Sequence, residues 1–273
     1  MVPPGRWAGA ALAAAIAAAG RADAQDLVDA LASAPDIPNI AGVAFGSAPQ
    51  YIGADERMAG PVPLLRLQRA GSMQSLSLLG TVFTSNILDH PVLKTGPTGV
   101  FRLGRSDVDD DVVADLPEID ASLDLGWTVG AEFVDPDNSA RRVRADVSFR
   151  HDVTDAHGGY VLGASASGWT PTPFFLLGGF ASVTWGSDAY MDTYFGVEPS
   201  GSAASGLPAF NARAGARDVA AGLVAIVPVN DRMLAGAGVL YSRLLKDAAD
   251  SPIVDLRGER DQLLYGIGVA WAF

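Results

Sequence analysis

Six charged residues stand at spacings that set them opposite one another: Asp120, Asp124 and Glu132 on one stretch, then Arg142, Arg144 and Arg150 on the next. The turn-forming run Asp135-Pro-Asp-Asn-Ser139 lies between them. If the two stretches are antiparallel strands, their even-numbered residues share one face and carboxylates meet guanidiniums across it. Two kinds of chemistry fit. A charged constriction selects solutes, as rings of charged side chains do in pores. An ion-pair ladder instead fills a closed interior, since buried charges need partners. The signs are balanced, and we take the filled interior as the expectation.

Other constellations are poorer in chemistry. His151 beside Asp152 has the makings of half a nucleophilic site, a base with an orienting carboxylate. No serine carries a recognisable nucleophile motif, so polar loop residues are the simpler reading of this pair and of His90 and His157. Asp107 and Asp109-Asp-Asp111 could bridge a divalent cation, but the spacing lacks the glycine and distal glutamate of a calcium loop. A solvated acidic loop is expected there. With no metal-ligand spacing and no glycine-rich phosphate loop, neither metal nor cofactor is expected, and no residue is marked for bond-making.

The elements that must position the charges are strands. From Glu118 to Phe133, one face carries Ile119, Ala121, Leu123, Leu125, Trp127, Val129, Ala131 and Phe133, and the other carries the polar residues and glycines. Residues 142–150 alternate in the same way, with Val143, Ala145, Val147 and Phe149 opposite the arginines. Further strands are read at Ile40–Ser47, Val62–Gln68, Gln74–Thr84, Thr98–Arg105, Tyr160–Trp169, Phe174–Trp185, Val219–Val227, Arg232–Leu244 and Leu263–Phe273. That makes eleven, whereas a closed single-chain bacterial barrel has an even number, about ten or twelve. The Leu76–Lys94 region is where a strand is missed or split. Short connections at Asp135–Ala140, Thr170–Pro173 and Val229–Asp231 alternate with long ones at Ser106–Pro117, Ser187–Ala214 and Lys246–Asp261. The short ones are expected in the periplasm and the long ones outside.

Residues 1–24 have the form of a cleaved signal peptide: Arg6, an alanine-rich apolar core, and Ala22-Asp-Ala24. Residues 25–39 are expected to form a short periplasmic lead, and residues 40–273 the barrel. Cysteine is absent, which removes disulfides and thiol chemistry. The 31 acidic against 19 basic residues, net −12, argue against nucleic acid as a partner. Mean hydropathy is +0.21, yet no apolar run after residue 24 reaches the roughly 18 residues of a spanning helix. An exported chain of this kind fits an all-β, antiparallel, closed transmembrane barrel. Trp127, Trp169, Trp185, Trp271, Tyr160, Tyr241 and Tyr265 are expected in its aromatic girdles.

The final residues place Leu263, Tyr265, Ile267, Val269, Trp271 and Phe273 on one face and only Leu264, glycines and alanines on the other. This resembles the terminal strand of outer-membrane barrels, and the resemblance makes Gly268, Trp271 and Phe273 a signal to the barrel assembly machinery. Several segments are similar to the MipA/OmpV family of outer-membrane proteins. They are Pro49-Gln-Tyr-Ile-Gly-Ala-Asp55, Pro61-Val-Pro-Leu64, Gly96-Pro97 with Phe101-Arg-Leu-Gly-Arg105, and Asp115-Leu-Pro-Glu-Ile-Asp120. Later come Tyr194-Phe-Gly-Val197, Ser205-Gly-Leu-Pro-Ala-Phe210 and Leu244-Leu-Lys-Asp-Ala-Ala-Asp-Ser-Pro-Ile253. The resemblance implies the Gram-negative outer membrane, with lipid and lipopolysaccharide around the barrel. It also implies a non-enzymatic scaffold that links a lytic transglycosylase to a murein synthase. The residues themselves leave a narrow solute channel as the alternative, and a hydrolase on His151 and Asp152 as a third reading.

Overall fold

A computed structural model describes residues 39–273; the expected signal peptide and all of the expected lead but Asn39 lie outside that range. Twelve strands run in chain order: β1 (Ile40–Pro49), β2 (Arg57–Gln68), β3 (Ser75–Leu79), β4 (Val82–Asn86), β5 (Leu93–Arg102) and β6 (Ser122–Asp135), then β7 (Asn138–Asp152), β8 (Tyr160–Pro171), β9 (Leu176–Gly186), β10 (Gly215–Pro228), β11 (Met233–Leu244) and β12 (Asp261–Ala272). Each pairs antiparallel with its sequence neighbours, and β12 closes on β1, from Ile40↔Ala272 to Ser47↔Tyr265. Closure leaves no unpaired sheet edge.

The even count comes from the region where the sequence was ambiguous. The expected single strand Gln74–Thr84 is two, β3 and β4, folded back at Gly80-Thr81 with register Ser77↔Thr84. Gly80 has φ +59°, a conformation that costs glycine little and other residues more. Leu78, Leu79, Val82 and Phe83 hide this turn in an apolar run that reads as continuous strand.

With twelve strands the connections fall into two sets. Five connections of two to six residues and both described termini share one rim, the turn rim, while the two-residue β3–β4 turn lies at the opposite ends of its strands. The long loops gather at the other, the loop rim, as the alternation of lengths predicts. Three of those loops carry short helices: α1 (Asp111–Ala114), α2 (Asp188–Phe195) and α3 (Pro199–Ser205), and α4 (Lys246–Asp250) with α5 (Pro252–Asp255).

Strand alternation puts apolar side chains outside. Phe45, Phe133, Val143, Val147 and Ile267 are among the exposed large hydrophobics, Ile267 at 69 %. A contiguous apolar exterior on this scale demands an apolar surrounding. One aromatic departs from expectation: Trp169 faces the lumen and is buried. Tyr160 and Trp169 lie nine residues apart on one strand, so alternation forbids both from facing out. The Trp169 ring lies over Gly178, its register partner, where a Cβ would come within 2.8 Å of it.

The interior is filled at both rims. At the loop rim, Tyr190, Met191 and Phe195 of α2 pack with Val161, Leu244, Ala248, Ala249 and Val254. Tyr51, Val113, Leu116, Val197, Leu207 and Ile253 continue that packing across the mouth. At the turn rim, Ile40, Trp169 and Val224 form a smaller apolar cluster.

Candidate functional site

Two ion networks line the β5–β7 wall of the lumen between these clusters. Nearer the turn rim, Glu132 of β6 receives Lys94 of β5 at 3.3 Å and Arg142 of β7 at 3.6 Å. Arg144 turns to Asp146 on its own strand, with contacts of 2.6–2.9 Å from Nη2 and Nε. Nearer the loop rim, Asp124 of β6 accepts from Arg102 Nε at 3.0 Å and from His157 Nε2 at 2.9 Å. The His157 Nδ1 accepts the Gly159 N–H at 3.1 Å, so the ring proton sits on Nε2 and points at Asp124.

The second network ties the plug to the wall. Asp152 at the end of β7 accepts from the backbone N–H groups of Thr154, His157 and Gly158, which shapes the β7–β8 loop and delivers His157 to Asp124. The Tyr190 ring meets His157 edge-on at 5.1 Å and lies under Arg102 at 5.3 Å. Its hydroxyl oxygen accepts from Arg217 Nη1 at 2.6 Å, and Arg217 also pairs with Asp218. Arg217 reaches this position at a bulge of β10, between Ala216 and Asp218. Tyr194, one turn further along α2, contacts Ser122 at 3.4 Å, and burial pushes its phenol up to about 12.

Of the six expected lumen charges, Asp124, Glu132, Arg142, Arg144 and Arg150 face inward. Asp120 does not: it is exposed in the loop that precedes β6, whose first residue is Ser122. Glu132 and Arg142 pair across β6 and β7, but Asp124 does not pair across these strands. Asp124 is in register with Asp152 rather than with an arginine, so its partner comes from β5 on the other side. Sequence reasoning passed over Lys94, Arg102 and Asp146, although Lys94, Thr98 and Arg102 alternate on β5. Pro97 with Gly96 and Gly99 beside it weakened that pattern. His157 and Arg217 carried no signal, because a loop and a bulge place them.

His151 and Asp152 are separated by the alternation that makes them neighbours in sequence. His151 is exposed on the outer face and Asp152 is buried within. They form no base–orienter pair, which removes the hydrolase reading built on them. Asp124, Asp152 and His157 bring potential ligand atoms within 4.8 Å of one another. Both imidazole nitrogens are engaged in hydrogen bonds, so the triad is a closed network rather than an open donor set. The acidic loop is structural too. Asp110 caps α1 through the N–H groups of Val112 and Val113 and pairs with Arg257 at 2.6 Å. Burial works to raise its carboxyl, but the Arg257 hydrogen bond and the cap bonds hold it below the usual range.

Gly268, Trp271 and Phe273 lie at the barrel seam. Gly268 faces inward, where a Cβ would come within 2.8 Å of the Ala44 Cβ on β1. Trp271 and Phe273 are exposed outside, and the Phe273 N–H donates to the Asn39 carbonyl at 2.8 Å.

The model of the family described as MltA-interacting protein MipA matches residues 41–273, from the second residue of β1 to the last residue. The chain belongs to the MipA family. It is 32 % identical over 125 residues to the outer membrane protein OmpV of Vibrio cholerae serotype O1. That match covers 46 % of this chain and about half, 47 %, of OmpV. Among solved structures it is similar to an outer membrane channel from Pseudomonas putida F1, with 12 % identity and a TM-score of 0.44 over 88 % of this chain and 97 % of that one. It is also similar to the translocator domain of the autotransporter NalP from Neisseria meningitidis, with 13 % identity and a TM-score of 0.39 over 94 % and 100 %. Likeness at these scores has no bearing on function. The MipA-family chain is thus an outer-membrane barrel, and it crosses by strands; among the described residues no helix is long and apolar enough to do so.

Proposed function

We propose that this barrel is a non-enzymatic scaffold, anchored in the outer membrane, whose turn rim faces the periplasm and holds murein-cleaving and murein-synthesising enzymes. The observation that carries this reading is an interior closed at both rims. Helix α2 and its neighbours pack the loop rim, paired charges line the β5–β7 wall, and Trp169 sits over the turn rim. A barrel packed in this way has its surfaces to offer rather than a passage. The family's description as MltA-interacting supports a lytic transglycosylase as the first partner.

The test is reconstitution with purified components. The tagged barrel should retain a lytic transglycosylase and, through it or beside it, a bifunctional murein synthase. Retention should survive Arg144→Gln, which alters the lumen alone. Failure of the folded barrel to retain either enzyme would overturn the scaffold. The inward charges of β6 and β7 favour a second reading, a narrow solute channel, which conductance tests separately.

Assembly gives a further expectation. Deleting Phe273 removes an outward aromatic and the Asn39 hydrogen bond at the seam, and should sharply reduce the inserted, heat-modifiable fraction in outer membranes. Unchanged insertion would remove the assembly role of Gly268, Trp271 and Phe273.

A further inference from the structure

The wall formed by β10, β11, β12, β1 and β2 is unlike the charged half of the lumen. Away from the loop rim its inward side chains are small or aliphatic apart from Arg66, among them Ala44, Val62, Leu64, Val224, Leu240 and Leu264. Together with the glycines between them they border a cavity of about 180 Å³. That slightly exceeds the roughly 150 Å³ apolar cavity known to take up benzene. The space is not demanded by backbone packing. At Gly238 a Cβ would lie an ordinary 3.5 Å from Val224 Cγ2, so a side chain fits there and its absence leaves room.

Polar groups converge on one side of this apolar space. Arg66 on β2 and Ser77 on β3 are register partners, both buried, and both line the cavity. The Ser77 Oγ is 4 % exposed as a residue and has no hydrogen-bond partner among the described residues. Thr84, next in the same row on β4, presents a second buried hydroxyl without one. Buried hydroxyls are nearly always satisfied, so this row is where a polar group from outside the wall belongs.

We infer that the cavity is a binding site for a small amphipathic monocarboxylate, its ring or short acyl chain against the aliphatic wall and its carboxylate toward Arg66 and Ser77. A guanidinium and a hydroxyl both donate to carboxylate oxygens, and charge assistance strengthens the first contact. A neutral hydrocarbon would leave the Ser77 hydroxyl unsatisfied. This site does not depend on the scaffold reading, and either can fail alone.

The test is a fluorine-NMR titration of the full, folded barrel in detergent with 4-fluorobenzoate. Fluorobenzene serves as the neutral counterpart and empty micelles as the background. Saturable binding of the acid is expected, abolished by Gly238→Leu, which fills the cavity. Arg66→Gln should weaken acid binding by about tenfold, the loss of one charged hydrogen bond, and leave fluorobenzene unaffected. Ser77→Ala, a one-oxygen deletion, should weaken the acid several-fold and decides the same question if Gly238→Leu does not fold. Signals no different from empty micelles, or acid binding indifferent to these substitutions in a barrel of normal gel mobility, would overturn the site. Saturation by fluorobenzene alone would overturn the carboxylate class.

Discussion

Asp124→Ala is expected to cost the barrel about 3–5 kcal/mol, the usual penalty for breaking a buried pair by removing one partner. The carboxylate accepts from Arg102 and His157 at once, and both donors are buried with it. Alanine leaves a guanidinium and an imidazole N–H in the lumen with no acceptor between them. Asp124→Asn retains an acceptor oxygen and should cost less. The measurement is the urea midpoint of the refolded barrel, read with the temperature at which its folded gel mobility is lost. An Asp124→Ala barrel within about 0.5 kcal/mol of the parent would place this network among dispensable surface contacts.

The second large effect is confined to the plug. Phe195 is fully buried at the end of α2, in the cluster that joins α2 to α4, α5 and the strand ends. Its backbone carbonyl also accepts from the buried Ser251 hydroxyl at 2.6 Å. Phe195→Ala should cost about 3–5 kcal/mol through the cavity it leaves. Because the plug packs on a barrel closed by its own hydrogen bonds, the loss should appear as local opening. Protease cleavage within residues 187–214 should then accelerate by about a hundredfold to a few thousandfold while the strands stay protected. Phe174→Ala provides the control, since that ring is 83 % exposed on a turn. Equal cleavage of the Phe195 and Phe174 variants would mean that the helices do not hold the mouth shut.

What was legible in the sequence follows from the physics of each element. A two-residue period over fourteen residues leaves little alternative to a strand, so β6 and β7 were plain, as was the inward direction of five of their charges. Register was not plain, because alternation fixes a face but not a partner. Asp124 was therefore assigned to the arginines of β7, when its own register partner is Asp152. The β3–β4 hairpin was hidden because Gly80-Thr81 is a two-residue turn inside an apolar run. Trp169 was misplaced by composition, and counting parity from Tyr160 would have corrected it. The plug was the least legible part. Four loops far apart in sequence build it, and no local pattern records that they meet.

Conductance tests the central claim most directly. Purified barrel, its fold verified by heat-modifiable gel mobility, is reconstituted in planar bilayers and recorded across a range of salt. A lumen closed at the loop rim by α2 and its neighbours, lined by the Asp124 and Glu132 networks and covered by Trp169 should give a silent bilayer. Discrete, reproducible openings from the unmodified barrel, with amplitudes that change in Arg144→Gln, would contradict the closed scaffold and establish a channel.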